Sequence, residues 1–232
     1  MLNPFNNPEV QEQLSVLFSN LAGDIWATLY STVLATIFAY IIGLPLGILL
    51  VTGEKGGVRP LPGALMKVLN FVINILRSVP FLILMIMAIP LSRLILGTSV
   101  GTNAMIPPLV IAAFPFVARM VEQSLEEIDR GTVEAARCMG ATNWQIITRV
   151  LLVESVPSLL RGLSISLITI LGYTAITGSV GAGGLGNLAF RFGYQRYQKP
   201  VMYATVLLLI LLVCVIQIIF DLAARKADKR TR

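Results

Sequence analysis

The chain has 232 residues, of which 56% are hydrophobic and 13% are charged. Its mean hydropathy of +0.80 is too high for a soluble domain of this length, so the composition predicts an integral membrane protein. The sequence contains no His, which excludes a Ser-His-Asp triad, an imidazole metal site and a histidine proton relay. We expect no catalytic residue and no metal site in this chain.

Five apolar stretches are long enough to cross the hydrocarbon core of a bilayer as helices, which takes about 20 residues each. They are residues 25–51, 66–96, 103–120, 159–180 and 201–222. The third contains Pro107, Pro108 and Pro115, which membrane helices tolerate where neighbouring groups satisfy the freed carbonyls. The sequence therefore predicts an all-α membrane protein with about five transmembrane helices.

Basic residues are concentrated in short connections between these stretches and at the end of the chain, as in the cytoplasmic loops of membrane proteins. The clearest are Lys55, Arg59, Lys67, Arg130, Arg137, Arg149, Arg225, Lys226, Lys229, Arg230 and Arg232. Membrane topology explains the net charge of +6 better than nucleic-acid binding, and we expect no nucleic-acid partner. Arg191, Arg196 and Lys199 are exceptions, because they would face outward.

The same charges predict the organisation of the chain. Residues 1–24 hold no Lys or Arg and are expected to form an extracytoplasmic N-terminal segment. Residues 25–222 are expected to form the transmembrane domain, with a cytoplasmic loop at about 125–153, and residues 223–232 a basic cytoplasmic tail. The amino terminus would then lie outside the cytoplasm and the carboxyl terminus inside.

Residues 181–186, GAGGLG, match the G-x-G-x-x-G pattern of dinucleotide-binding loops. That pattern requires a preceding strand and an acidic residue about 20 positions later. Here a predicted membrane helix precedes it, and residues 187–220 contain no Asp or Glu. We therefore expect a turn in which glycine permits positive φ and close backbone approach. The sequence has no G-x-x-x-x-G-K-[ST] loop either, so we expect no cofactor and no ATP hydrolysis by this chain alone.

The polar segment at 125–153 contains the signals of a short helix. Thr132 is predicted to cap a helix that runs through Met139, with Glu134 near its positive end. Gly140 is the expected terminator, because glycine readily adopts the left-handed backbone that ends many helices. The segment is therefore predicted to hold a helix of about two turns outside the membrane.

A second helix is predicted after this turn, because Thr142 and Gln145 have the spacing of a capping box. On the first helix, Ala135 and Met139 share one face by their i, i+4 spacing, with Cys138 beside them. Small residues next to a flexible thioether suit a helix that lies in a groove of another protein. The alternative is a connector with a solvated polar face, and the residues alone leave both open.

The segment EAARCMGA at 134–141 closely resembles the EAA loop of ABC importer permeases. The resemblance continues through RSVPF at 77–81, PFVARMVE at 115–122 and LGYTAITGSVGAGGLGNLAFRFGYQR at 171–196, and together these are similar to methionine importer permeases. In that family the EAA segment is a coupling helix seated in a groove of the ATPase subunit. The resemblance implies that the residues that couple to the ATPase are Glu134, Ala135, Ala136, Arg137, Met139, Gly140 and Ala141.

One feature departs from the family pattern. The family usually carries Leu-Pro after the second helix, whereas here Leu152 is followed by Val153 and the next proline is Pro157. The elbow into the fourth span is therefore expected to bend later.

The resemblance implies a type I ABC importer permease fold in a bacterial cytoplasmic membrane. It also implies two ATP-binding ABC ATPase subunits, which would hold ATP and Mg, and a substrate-binding protein or lipoprotein that docks outside. Five spans are few to enclose a path, and homo-oligomers are mostly two-fold symmetric, so we expect a second copy of the chain with the path on the axis. Methionine, with both enantiomers as candidates, would cross by alternating access, and lipid would surround the spans.

The fourth predicted span carries a group of hydroxyl side chains in its later half. Such hydroxyls often donate hydrogen bonds to carbonyls of their own helix and have no further functional role. The alternative is a weakly polar translocation path lined by Tyr173, Ile176, Thr177 and Val180. A path that must release its cargo should not bind it tightly.

Two rival functions stay open at this point. The chain could be a channel or secondary carrier in which residues 134–141 are only a connector, or an ABC importer permease for another solute, such as a phosphonate or glycine betaine. Secondary carriers usually have ionisable groups inside the membrane and internal repeats. We find neither in the predicted spans, since Arg77 is expected to extend to the cytoplasmic surface.

Overall fold

The computed structural model describes residues 8–228 and contains helices and turns, with no strand in that part of the chain. The α-helices are α1 Pro8–Gly53, α2 Gly63–Ser78, α3 Phe81–Leu96, α4 Ile106–Glu126, α5 Arg130–Cys138, α6 Asn143–Gln145, α7 Leu152–Glu154, α8 Val156–Thr177, α9 Gly184–Leu188 and α10 Lys199–Ala227. This confirms the all-α prediction. Residues 1–7 of the predicted outer segment and Lys229, Arg230 and Arg232 of the predicted tail lie outside the described residues.

Four helical stretches are long and apolar enough to cross a membrane, and α2 and α3 make a fifth if they are counted as one span. The four are Leu21–Gly53, Asn103–Glu126, Val156–Val180 and Lys199–Ala227. The prediction of about five spans is confirmed, including the stretch that contains three prolines. Pro107 and Pro108 fit because they lie in the first turn of α4, where an N–H would have no partner within the helix.

The predicted second span, 66–96, is not a single straight helix. Between α2 and α3 the chain bends sharply. Val79 has an extended backbone, with φ −77° and ψ 127°, and Pro80 follows it. A residue that precedes proline disfavours the helical conformation, so the proline sets this break inside the apolar run.

The chain divides into two units, and the first contains Phe81–Leu109, Leu167–Ile216 and the N-terminal part as far as Ala35. Its core is formed by Leu185, Leu188 and Val201, with Phe192 and Leu208 among the residues packed against them. Leu185 and Leu188 belong to α9, and Val201 lies at the beginning of α10.

The glycine-rich turn of this unit confirms the structural interpretation of residues 181–186. Gly181, Gly183 and Gly184 all have positive φ, at 91°, 79° and 76°. A Cβ at Gly186 would overlap the backbone of Ala175, so glycine is required there for close approach. The segment before the turn is the helical end Gly178–Val180 rather than a strand, which rules out a dinucleotide-binding loop.

The second unit contains Thr36–Pro80, Val110–Ser166 and the chain from Gln217 onward. Leu50, Met66, Ile73 and Ala118 form a buried cluster in it. A Cβ at Gly47 would lie 2.6 Å from the Ala118 carbonyl oxygen, so this glycine allows α1 and α4 to pack closely. The polar segment that the sequence singled out belongs to this unit.

Candidate functional site

Helix α5 begins one turn earlier than the sequence predicted. Its N-cap is Asp129, whose Oδ1 accepts a hydrogen bond of 2.6 Å from the Gly131 amide, so the predicted cap at Thr132 is wrong. Thr132 lies inside the first turn, and its amide donates to the Asp129 carbonyl at 3.1 Å. Aspartate is at least as good an N-cap as threonine, and it is the first of the two after α4 ends. The helix ends at Cys138, with Met139 as its C-cap.

The end of α5 is a left-handed glycine turn, as the sequence predicted. Gly140 has φ +82°, and its amide donates to the Arg137 carbonyl at 2.9 Å. The Ala141 amide donates to the Ala136 carbonyl at 3.0 Å, which completes the two-bond Schellman pattern. The carbonyls at the end of this short helix are therefore satisfied by the turn itself.

The predicted capping box is confirmed at the start of the next helical segment. The Gln145 amide donates to Thr142 Oγ1 at 3.3 Å, and the Thr142 amide donates to Gln145 Oε1 at 2.9 Å. A π-helical stretch, Ile146–Leu151, continues the segment into α7. The break before α8 falls at Ser155, and Pro157 lies in the first turn of α8, where proline is tolerated.

The outward side of α5 carries several of the residues predicted to couple to a partner. The exposed residues are Glu134, Ala135, Cys138 and Met139, and Met139 is 81% exposed. Trp144, which lies between the two residues of the capping box, is 73% exposed on the following segment. A large exposed aromatic residue beside an exposed methionine is typical of protein-binding surfaces, and this signal could have been read from the sequence. We call Glu134, Ala135, Cys138, Met139 and Trp144 the coupling face.

Two of the residues predicted to couple to the ATPase make contacts within the chain. Ala136 is only 4% exposed and packs inside the second unit, and its role in coupling stays a prediction. Arg137 Nη2 donates a hydrogen bond of 2.8 Å to the Gly57 carbonyl, in the turn that follows α1. Ala136 is the buried position of α5, whereas Arg137 is exposed and extends to the turn after α1.

A cavity of about 560 Å³ lies behind α5, between this helix and the turn after α1. Its lining combines both signs of charge, with Glu54, Glu134, Lys55, Arg130 and Arg137 among the residues that contribute. The guanidinium of Arg137 bridges the two elements that border this cavity.

The second unit contains a cluster of charged and amide side chains that the sequence did not predict. Arg119 Nη1 donates to both carboxylate oxygens of Glu122, at 2.8 and 2.6 Å. Arg119 Nη2 donates to the side-chain oxygens of Asn70 and Asn74, at 2.7 and 3.0 Å. The two bonds to Asn70 and Asn74 join α4 to α2.

This cluster corrects the prediction that the spans hold no ionisable group. The predicted third span ended at Met120, whereas the apolar stretch continues as far as Glu126 and therefore includes Glu122. The signal that could have found the pair was Arg119 inside the predicted span, with Glu122 three positions later. The side chains are 17% and 11% exposed, and each charge is neutralised by the other.

The hydroxyl groups of the fourth span mostly bond to their own backbone. Thr174 Oγ1 donates to the Leu171 carbonyl at 2.7 Å, and Thr177 Oγ1 donates to the Thr174 carbonyl at 2.8 Å. Thr177 is 1% exposed, and its assignment to a path stays a prediction. These bonds are the ordinary behaviour of hydroxyls in membrane helices.

The other predicted path residues retain accessible surface. Ile176 is 41% exposed, and Tyr173 and Val180 are partly exposed. The Tyr173 ring stacks on Phe81 with 4.0 Å between ring centroids, which fixes its orientation in the first unit. The assignment of these three residues to a path stays a prediction.

Residues 43–232 match the family described as the inner membrane component of binding-protein-dependent transport systems. The chain belongs to this family. It is therefore a multi-pass inner membrane protein and a transport subunit, and the enzyme that hydrolyses ATP in such systems is a separate subunit.

Curated relatives of this permease cover most of its length. A probable D-methionine transport system permease protein of Vibrio cholerae is 48% identical over 88% of this chain and 91% of its own length. A methionine import system permease protein of Bacillus subtilis is 45% identical over 72% of this chain and 75% of its own length.

Solved structures support the same fold for this permease. A chain from the inward-facing conformations of the MetNI methionine ABC transporter is 42% identical, with a TM-score of 0.89, and the match covers 92% of this chain and 98% of that one. An amino acid ABC transporter crystallised with histidines is 20% identical with a TM-score of 0.74, which shows the shared fold alone. The predicted type I ABC importer permease fold is confirmed.

Proposed function

We propose that this permease imports methionine, driven by ATP that separate ATPase subunits bind and hydrolyse. The observation that carries the coupling is the coupling face, which α5 and the segment after it present, and in which Met139 and Trp144 are 81% and 73% exposed. The cargo is supported by the relatives of Vibrio cholerae and Bacillus subtilis, which are named for methionine transport.

The assembly we propose is a homodimer with the path on its two-fold axis. Each copy would present one coupling face to one ATPase subunit, and those subunits would hold ATP and Mg. A substrate-binding protein or lipoprotein would dock on the outer side, and the amino terminus would lie on that side with the carboxyl terminus in the cytoplasm. Closure of the ATPase pair would draw the coupling helices together and exchange inward-open and outward-open states.

The path we propose passes Ile176, with Tyr173 and Val180 beside it. An aliphatic side chain next to a phenol makes a weakly polar wall, which is compatible with a zwitterion that carries an apolar side chain. The wall has no charged group to hold such a solute tightly, so the cargo would be released easily. Other small zwitterions would meet the same wall, and the cargo therefore requires a direct test.

The cargo can be tested by uptake into vesicles that contain the permease, its ATPase and its binding protein. We expect labelled L-methionine to accumulate only with ATP inside, and unlabelled D-methionine to compete if both enantiomers are carried. Glycine betaine and a phosphonate serve as competitors that should have no effect. Competition by either of them without competition by methionine would assign a different solute, and accumulation without the ATPase would favour a channel or secondary carrier.

The coupling face can be tested with a charge reversal and a matched control. Glu134→Lys reverses the charge of an exposed residue in the middle of α5 and so changes the coupling face. Glu127→Lys makes the same change at another exposed position outside α5. We expect binding of the ATPase, measured by co-purification, to fall for Glu134→Lys alone. Equal binding by both variants and the parent would mean that α5 is only a connector.

A further inference from the structure

Arg137 makes a contact between two elements that are 80 positions apart in the sequence. Its Nη2 donates to the Gly57 carbonyl at 2.8 Å. Arg137 lies in the last turn of α5, and Gly57 lies in the turn between α1 and α2. The contact therefore connects the helix that carries the coupling face to the helices that enter the membrane.

The turn that receives this hydrogen bond is itself closely bound to the end of α1. The amides of Gly57, Arg59 and Leu61 donate to the carbonyls of Glu54, Thr52 and Gly53, each at 2.9 Å. Val58, between them, is only 7% exposed. A force on the Gly57 carbonyl is therefore transmitted to α1, because these hydrogen bonds make the turn resist deformation.

The same turn is also packed against the beginning of α2. Leu61 packs with the buried cluster that includes Met66 of α2 and Leu50 of α1. The turn, the end of α1 and the start of α2 thus form one packed element of the second unit. A displacement of the turn would therefore move both helices.

Arg130 offers a comparison on the same helix. It carries the same charge and lines the same cavity behind α5, but within the part of the chain that the structure describes its side chain makes no hydrogen bond or ion pair. The difference between the two arginines is the hydrogen bond to Gly57. If substitution of Arg137 has an effect that the same substitution of Arg130 lacks, the cause is therefore the loss of this contact and not the loss of a charge at the cavity.

We propose that Arg137 is a positioning residue that ties α5 to the turn after α1, so that movement of the coupling face is passed to α1 and α2. This inference rests on the proposed function, in which α5 is moved by an ATPase. Arg137 acts behind the helix and makes no contact with the partner. Its loss should uncouple ATP hydrolysis from transport while the partner still binds.

The contact itself can be tested without reference to transport. Hydrogen–deuterium exchange of the purified full-length permease would follow the amides of residues 54–62 in the parent, Arg137→Gln and Arg130→Gln. We expect exchange in that turn to rise by about tenfold in Arg137→Gln, because the turn loses an anchor, and to stay at the parent rate in Arg130→Gln. Unchanged exchange in Arg137→Gln, or an equal rise in both variants, would overturn the proposal.

The functional step is tested by the ratio of solute transported to ATP hydrolysed in vesicles that hold the complete transporter. We expect Arg137→Gln to lower this ratio by about fivefold or more, with co-purification of the ATPase unchanged, and Arg130→Gln to leave it unchanged. Arg137→Lys, which keeps a donor on a flexible stem, should recover part of the ratio. Loss of ATPase binding in Arg137→Gln would make Arg137 a docking residue, and an unchanged ratio would make it a local stabiliser; either result contradicts the proposal.

A failure of the proposed function would look different. If the parent permease neither binds an ATPase nor stimulates it, the importer assignment is wrong for all variants alike. The exchange experiment would still decide whether Arg137 anchors the turn.

Discussion

Arg119 and Glu122 form a hydrogen-bonded ion pair, at 2.8 and 2.6 Å, within a helix that is apolar enough to cross a membrane. The second guanidinium nitrogen of Arg119 is occupied by Asn70 and Asn74 of α2. A charge in this setting is tolerated because it has a partner of opposite sign and further acceptors in the two Asn side chains. The pair should therefore be more important for stability than an exposed ion pair would be.

We expect Arg119→Gln and Glu122→Gln each to lower the free energy of unfolding by about 2–3 kcal/mol, because each leaves one partly buried charge without its partner. The measurement is the melting temperature of the purified permease in detergent. Arg149→Gln, at an exposed position, is the control and should change little. The double variant should lose less than the sum of the single losses, and additive losses would mean that the two groups do not depend on each other.

Features with a local signal could be predicted from the sequence. The capping box of Thr142 and Gln145 and the terminator Gly140 depend on residues within a few positions, and the structure has both. The choice between Asp129 and Thr132 as N-cap was not local, because it depends on where α4 ends. Once α4 stops at Glu126, Asp129 is the first side chain free to cap the next helix.

Other features depend on contacts that no local pattern reports. Asn70 and Arg119 are 49 positions apart, and Arg137 and Gly57 are 80 apart. The burial of Ala136 was not predicted either, because the sequence of so short a helix does not say which side faces the rest of the chain. The bend at Val79 and Pro80 was predictable in principle, since a residue before proline disfavours the helix, but the continuous apolar run suggested one span.

The membrane orientation can be tested by cysteine labelling. Cys138 and Cys214 are exposed, so both are first replaced by Ser. In that background we expect Asn6→Cys to react with an impermeant maleimide on intact cells and Asn143→Cys to react only after permeabilisation, because the Lys and Arg distribution places residue 143 in the cytoplasm. The reverse pattern would invert the topology, and reaction of both from the outside would mean a different number of spans between them.

The proposed path can be tested at Ile176, which is 41% exposed on α8. We expect Ile176→Trp to reduce methionine uptake severalfold, because the larger indole would narrow the proposed path, with co-purification of the ATPase unchanged. Ile210→Trp, at a position that is 55% exposed on α10, is the matched control for a new tryptophan in the same unit. Uptake at the parent rate in Ile176→Trp would place the path elsewhere.

The role of the left-handed glycine turn that ends α5 can be tested at Gly140. There φ is +82°, and an added Cβ would meet nothing within 4 Å. The open space means that a substitution acts through backbone strain rather than through a clash. Valine is β-branched and resists positive φ, so Gly140→Val should cost about 1–3 kcal/mol in the turn and displace the coupling face of α5. Uptake and ATPase stimulation should then fall together at normal membrane abundance. Asparagine tolerates the left-handed conformation, and Gly140→Asn should retain most of the activity. If both variants transport like the parent, the geometry of this turn does not matter for coupling, and if both fail equally, the effect is not one of backbone conformation.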